Sequence, residues 1–447
     1  MHSNSWRSMR LDQAATGVAS NAFGFVITLA IQGASVPFYL RAFGLNRYGE
    51  WLVISAIPMY LSLSDLGFAA VSSTQATREF ATGNASEARI TMRSAWLVVS
   101  TGSLAILATL ALLVWSLPVE WLHINEIPRH DAQLILLLLV AYTLMTVQSS
   151  LVEGCFRAGR RFPVGISIAT ALRLFEFVVA ALTALGTHSP VITAGSLLGA
   201  RILGQVAYLY QLRRLVPELM LGFQDAQYST FRCLVLPGLG FLSFPLGNTV
   251  AMQGMIMVTA TELGPAAVVV LNAVRIMGNM LRQIASTVYN GVLPEVTAAL
   301  ARGDHERARR LVNGGLAVTL VIAALCGATL VVAKNQILGV WTGGSVQAPA
   351  LLVLAMAATV LVDLPWLAWS LLLIARNRHA VLGALYAGSC LLSVVAAKLL
   401  LPRLGLLAIP LTLLLVDVVL YVPAYRGAVR VLTLPSLSRT EISGVGM

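Results

Sequence analysis

The stretch Leu271-Asn272-Ala273-Val274-Arg275-Ile276-Met277-Gly278-Asn279-Met280-Leu281-Arg282 decides how the rest of the chain is read. It lies within an apolar run from about residue 268 to residue 292. Asn272, Arg275, Asn279 and Arg282 follow one another at spacings of 3, 4 and 3. On an α-helix those spacings bring two guanidiniums and two amides to one face. Val269, Val270, Ile276, Met277 and Met280 make the other face apolar. Hydrocarbon does not tolerate a face with two arginines, so the stripe must look into protein or water. A membrane helix with such a stripe most simply lines a polar cavity, and the positive sign points to an anionic cargo.

The composition agrees with a membrane setting. Of 447 residues, 57% are hydrophobic and only 11% charged. A soluble chain of this length needs far more charged surface. The net charge is +11, carried almost wholly by arginine. These arginines are scattered over many short loops, which argues for a topological role and against nucleic-acid binding. Arg7 and Arg10 precede a long apolar segment with no small-residue cleavage site, so the start reads as an uncleaved first span. Cys155, Cys233, Cys326 and Cys390 fall in or beside apolar runs with no metal or redox spacing, so neither a disulfide nor a metal is expected. No phosphate-binding glycine loop is present, which excludes an ATP-driven pump, and no cofactor is expected.

About twenty apolar residues cross a bilayer. By that measure the chain holds twelve spans, roughly 14–40, 48–72, 93–116, 132–155, 164–187, 190–212, 233–260, 265–293, 311–333, 348–374, 380–401 and 405–424. With the N-terminus in the cytoplasm, twenty basic residues fall on inner segments and five on outer ones. Both termini are then cytoplasmic.

The chain also repeats. Ala81-Thr82-Gly83-Asn84 after the second span answers Ala301-Arg302-Gly303-Asp304 after the eighth, at an offset of 220. Gln32-Gly33 answers Gln253-Gly254 at 221. The expected architecture is an all-α polytopic membrane protein, with about twelve transmembrane helices in two parallel six-helix bundles around a central cavity. Residues 1–212 form the first bundle, 213–232 a cytoplasmic connector, 233–424 the second bundle and 425–447 a cytoplasmic tail.

Twelve spans in two halves, with a short basic glycine-containing loop after the second and eighth, resemble the multidrug/oligosaccharidyl-lipid/polysaccharide exporter superfamily. Leu63-Ser64-Asp65-Leu66-Gly67-Phe68, with Thr77-Arg78-Glu79-Phe80-Ala81 and Gly83-Asn84, resembles its bacterial polysaccharide-biosynthesis branch. That branch includes O-antigen and exopolysaccharide repeat-unit flippases. The resemblance implies that an undecaprenyl-pyrophosphate-linked oligosaccharide is moved between leaflets of the bacterial inner membrane by alternating access. It also implies a polysaccharide polymerase and other assembly proteins as neighbours.

Charges within spans need a reason. Arg275 and Arg282 offer planar donor forks that suit a pyrophosphate, and Asn272 and Asn279 suit sugar hydroxyls. Arg201 has no partner on its own helix. Arg173 and Glu176, three apart, can pair with each other or face the cavity. Gln32 and Asn248 add neutral polar groups for a cavity wall. Asp363, Glu176 and Asp65 are candidates for ion coupling, and Asp417 in the twelfth span is a further lone carboxyl group of the same kind, since a carboxyl group held out of water exchanges a proton or cation when its partners move. A salt bridge to an arginine is the plainer role for each. Pro237, Gly238, Gly240, Pro245 and Gly247 suggest a hinge in the seventh span.

Two other functions fit the composition. A cation-coupled multidrug exporter of the same superfamily favours cationic cargo, against an arginine-dominated cavity. A membrane enzyme of polysaccharide assembly would need a large outer segment, and the longest, residues 117–131, is short.

Overall fold

The computed structural model describes residues 2–64, 67–116, 124–227, 242–376 and 378–433, with side chains from Ala22 onward and at Ser20. Asp65, Cys233, Pro237, Gly238 and Gly240 lie outside the described residues, as do the side chains of Arg7 and Arg10.

Every secondary-structure element among the described residues is a helix. In chain order the helices are α1 (His2–Phe43), α2 (Leu45–Tyr60), α3 (Phe68–Ala81), α4 (Ala85–Leu113), α5 (Arg129–Ala158), α6 (Phe162–Thr187) and α7 (Pro190–Leu215). The second set is α8 (Ser243–Leu263), α9 (Pro265–Ala301), α10 (His305–Val332), α11 (Lys334–Thr342), α12 (Ala350–Ala375), α13 (Ala380–Leu404) and α14 (Ala408–Thr433). Helices α2 and α3 are the two parts of one pass, broken by a 3-10 turn at Leu61–Leu63 and by Gly67 at φ 76°. With α2 and α3 taken as one pass and the nine-residue α11 as a surface turn, the described residues make twelve passes. Nine stretches of the described residues are long and apolar enough to cross a membrane, the last of them holding both α13 and α14. Helices α8 and α9 fall short of that mark because they carry Asn248, Gln253, Arg275 and Arg282. The last helix runs on to Thr433, past the expected end of the bundle at 424.

The chain divides into two compact units, residues 1–242 and 243–447. In the first, α1 packs on α6, α5 on α7, α6 on α7, and α3, α4 and α5 pack on one another. In the second, α8 packs on α13, α12 on α14, α13 on α14, and α9, α10 and α12 pack on one another. The two pairing schemes are the same. The turns repeat as well. Gly83 and Gly303 both take left-handed φ values, 88° and 76°. In each turn the next residue's N–H reaches back five residues, Asn84 to Glu79 O and Asp304 to Ala299 O, both at 2.9 Å. This is the closure of a helix end on a glycine that a Cβ would strain. Gly44 and Gly264, also 220 apart, start α2 and α9 at φ 76° and 82°.

Two contacts fix the ends of these bundles. Glu50, at the start of α2, is buried and accepts the main-chain N–H groups of Asn125, Glu126 and Ile127 at 2.7–2.8 Å. Helices α8 and α13 run parallel and meet backbone to side chain through glycine. A Cβ on Gly247 would come within 2.7 Å of Tyr386, one on Gly254 within 2.8 Å of Val394, and one on Gly383 would strike Ser243. Gly247 is therefore a close-approach residue, and Pro237, Gly238 and Gly240 of the expected hinge lie outside the described residues. Pro245 sits in the first turn of α8, where its missing N–H has no helical partner to lose.

Candidate functional site

Inside the C-terminal unit, α9, α12 and α14 bring three charged side chains together. Arg282 Nε stands 2.6 Å from Asp363 Oδ2. Asp417 on α14 accepts a hydrogen bond from Trp366 Nε1 at 3.1 Å. The carboxyl groups of Asp363 and Asp417 are within hydrogen-bonding reach of each other. Both aspartates are buried, at 4% and 5% exposure, whereas the Arg282 side chain keeps 32%.

A cavity of about 370 Å³ opens beside the cluster. Phe244, Trp366 and Tyr386 wall it, with Met252, Cys390 and Leu413, and Asn248 adds an exposed amide. Tyr386 lies 5.7 Å from both Phe244 and Trp366, ring centre to ring centre. A second void of about 30 Å³, room for roughly one water, is lined by Arg275, Asn279 and Arg282. Arg282 lies between the two.

The arginine stripe of α9 is thus real as a face, but its charges are engaged. Arg275 Nη1 donates to the main-chain oxygen of Met252 and Nη2 to Asn272 Oδ1, both at 2.9 Å. Asn272 is buried and holds that guanidinium in place, which corrects its expected role toward a sugar hydroxyl. With Arg282 on Asp363, the cluster holds two acids for one base.

In the N-terminal unit the expected Arg173–Glu176 pairing gives way to another. Arg201 Nη2 on α7 meets Glu176 Oε2 on α6 at 2.8 Å, and Tyr142 on α5 donates to the same oxygen at 2.9 Å. The Arg201 guanidinium also lies 5.1 Å over the Tyr142 ring. Arg173, one turn earlier on α6, points to the exposed side. Gln32 is half-buried on α1, and its side-chain oxygen is buried with no hydrogen-bond partner among the described residues. Spacing along one helix finds same-face neighbours only. The Glu176–Arg201 and Arg282–Asp363 pairs join different helices, so the sequence suggests a salt bridge for each acid without saying which arginine makes it. Sequence reasoning missed Asp417 as a partner of Asp363.

No family model and no curated protein matches the chain. Solved structures do. One is the MATE multidrug transporter DinF-BH in a ligand complex, with TM-score 0.69 and 14% identity over 95% of this chain and 97% of that one. The chain is similar in fold to the MATE transporters. A second is an inward-facing multidrug resistance MATE family transporter of the MOP superfamily, with TM-score 0.63 and 14% identity over 91% and 94% of the two chains. A third is a MOP superfamily transporter from Pyrococcus furiosus, described by a reversed polarity of its binding pocket that suggests a different function. It matches with TM-score 0.60 and 12% identity over 94% and 95%. At such identities the likeness is one of fold, in a multi-pass all-helical membrane protein.

Proposed function

We propose that the chain is a cation-coupled exporter that works by alternating access, with Asp363, Asp417 and Arg282 as its coupling centre. The observation that carries this reading is the pair of buried carboxyl groups that share one guanidinium beside an aromatic-walled cavity. An acid without a dedicated base inside a membrane protein is costly unless a proton, a sodium ion or a cationic cargo completes it. Aromatic faces favour a cation further. The fold supports the same reading, since similar structures include multidrug transporters in inward-facing and outward-facing conformations.

The test is gradient-driven uptake of a fluorescent cationic dye into proteoliposomes. Asp363→Asn is expected to abolish the gradient-driven part and leave the protein folded by thermal melting. Undiminished uptake by a folded Asp363→Asn protein would remove the coupling centre.

A second reading keeps the lipid-linked oligosaccharide as cargo. The exposed Arg173 in mid-α6 favours it, because an arginine at that depth needs an anion or water. The Pyrococcus furiosus neighbour, described by the reversed polarity of its binding pocket, supports a fold that is not tied to one pocket polarity. Arg173→Gln would then trap lipid-linked repeat units on the inner leaflet and leave dye export unchanged.

A further inference from the structure

We propose that the C-terminal unit carries a binding groove for an anionic phospholipid, between the ends of α10, α12 and α14. Helices α10 and α14 both pack along α12 but scarcely touch each other, so α12 forms the floor of a groove between them. Its volume is about 410 Å³. Trp369 and Leu372 supply the floor, Val312 and Asn313 one wall, and Tyr425 and Val429 the other. Tyr421 and Tyr425 meet Trp369 edge-on, at 4.7 and 5.0 Å between ring centres. Val312, Leu372 and Val429 line the groove near the arginine-bearing helix ends, and the Trp369 and Tyr425 rings lie about one turn further in, as aromatic side chains do close to a membrane interface.

Charge names the occupant. Arg309 stands at the mouth, its side chain 60% exposed. Its partner is Glu306 at 3.3 Å, a solvent-exposed pair of little strength. A phosphate diester offers the same guanidinium a two-pronged acceptor and displaces that pair at small cost. Arg307, Arg310, Arg426 and Arg430 crowd the same ends of α10 and α14. These are the positive ends, which the arginine bias assigns to the cytoplasmic leaflet, where anionic lipid is found. A zwitterionic lipid brings the same phosphate diester with a cation of its own, which the surrounding arginines repel, so the net negative headgroup is the better match. The groove stands on its own geometry and does not require the coupling centre.

Brominated lipids in mixed micelles quench nearby tryptophan. The signal from the groove is the part of the quenching lost in Trp369→Phe. That part should report brominated phosphatidylglycerol binding about fivefold more tightly than brominated phosphatidylcholine, the order of one basic contact at a membrane surface. Arg309→Gln should cut the preference to below about twofold. Arg307→Gln, which removes the same charge from a residue paired with Glu295 outside the groove, should leave it intact. Equal quenching by the two lipids, a preference that survives Arg309→Gln, or an equal loss in Arg307→Gln would each overturn the proposal, as would quenching untouched by Trp369→Phe.

Discussion

The two units use one helix-pairing scheme to hold two different charge clusters. In the N-terminal unit, one acid meets one base: Glu176 and Arg201 are 2% and 7% exposed, and Tyr142 fills the next hydrogen bond. In the C-terminal unit, Asp363 and Asp417 share Arg282 beside an open cavity. The repeat offset of 221 carries Tyr142 to Asp363, since 363 − 142 = 221, and α5 and α12 also start 221 apart, at Arg129 and Ala350. Where one half places a phenol, the other places a carboxyl group. The balanced cluster acts as a peg between α5, α6 and α7. The other sets two carboxyl groups against one guanidinium, the arrangement on which the proposed coupling rests.

The largest effect should come from unbalancing the peg. Arg201→Ala leaves Glu176 buried without its base, and the loss expected for a broken buried pair is about 3–5 kcal/mol. Thermal unfolding in detergent should show it as failure to purify or a large fall in Tm. The double change Glu176→Gln with Arg201→Met should recover most of that loss. If it does not, the pair is more than a peg. Arg282→Ala should cost less, about 1–3 kcal/mol, because its side chain is 32% exposed and the cavity admits solvent. A loss equal to that of Arg201→Ala would erase the contrast between the units.

Tyr142→Phe removes one hydrogen bond to Glu176 and should cost about 1 kcal/mol. The smallest test concerns the shared scaffold. Gly83→Ala and Gly303→Ala each force a left-handed alanine, at about 1–2 kcal/mol, and the two losses should match to within about half a kilocalorie if the turns are equivalent.

The spans are legible in the sequence because hydropathy and glycine-marked turns act locally. The stripe Asn272, Arg275, Asn279, Arg282 is legible as a face for the same reason. What that face meets is not, because the rotation of α12 and α14 against α9 is set by packing. Hence Arg282 is neutralised by Asp363, and Asn272 serves Arg275 rather than a cargo. Arg201 looks unpaired in the sequence only because its acid sits 25 residues earlier, on another helix. Glu50 draws no notice there because an acid near the start of a span reads as surface. Its three main-chain donors come from a loop more than seventy residues away.

The glycine contacts between α8 and α13 carry a mechanical consequence. Backbones seated this closely cannot slide past one another without tearing Gly247 from Tyr386 and Gly254 from Val394. The two helices must therefore travel as a single spar. Phe244 and Tyr386 ride on that spar while Trp366 stays with α12, so any stroke that swings it pulls one aromatic wall of the chamber away from the other.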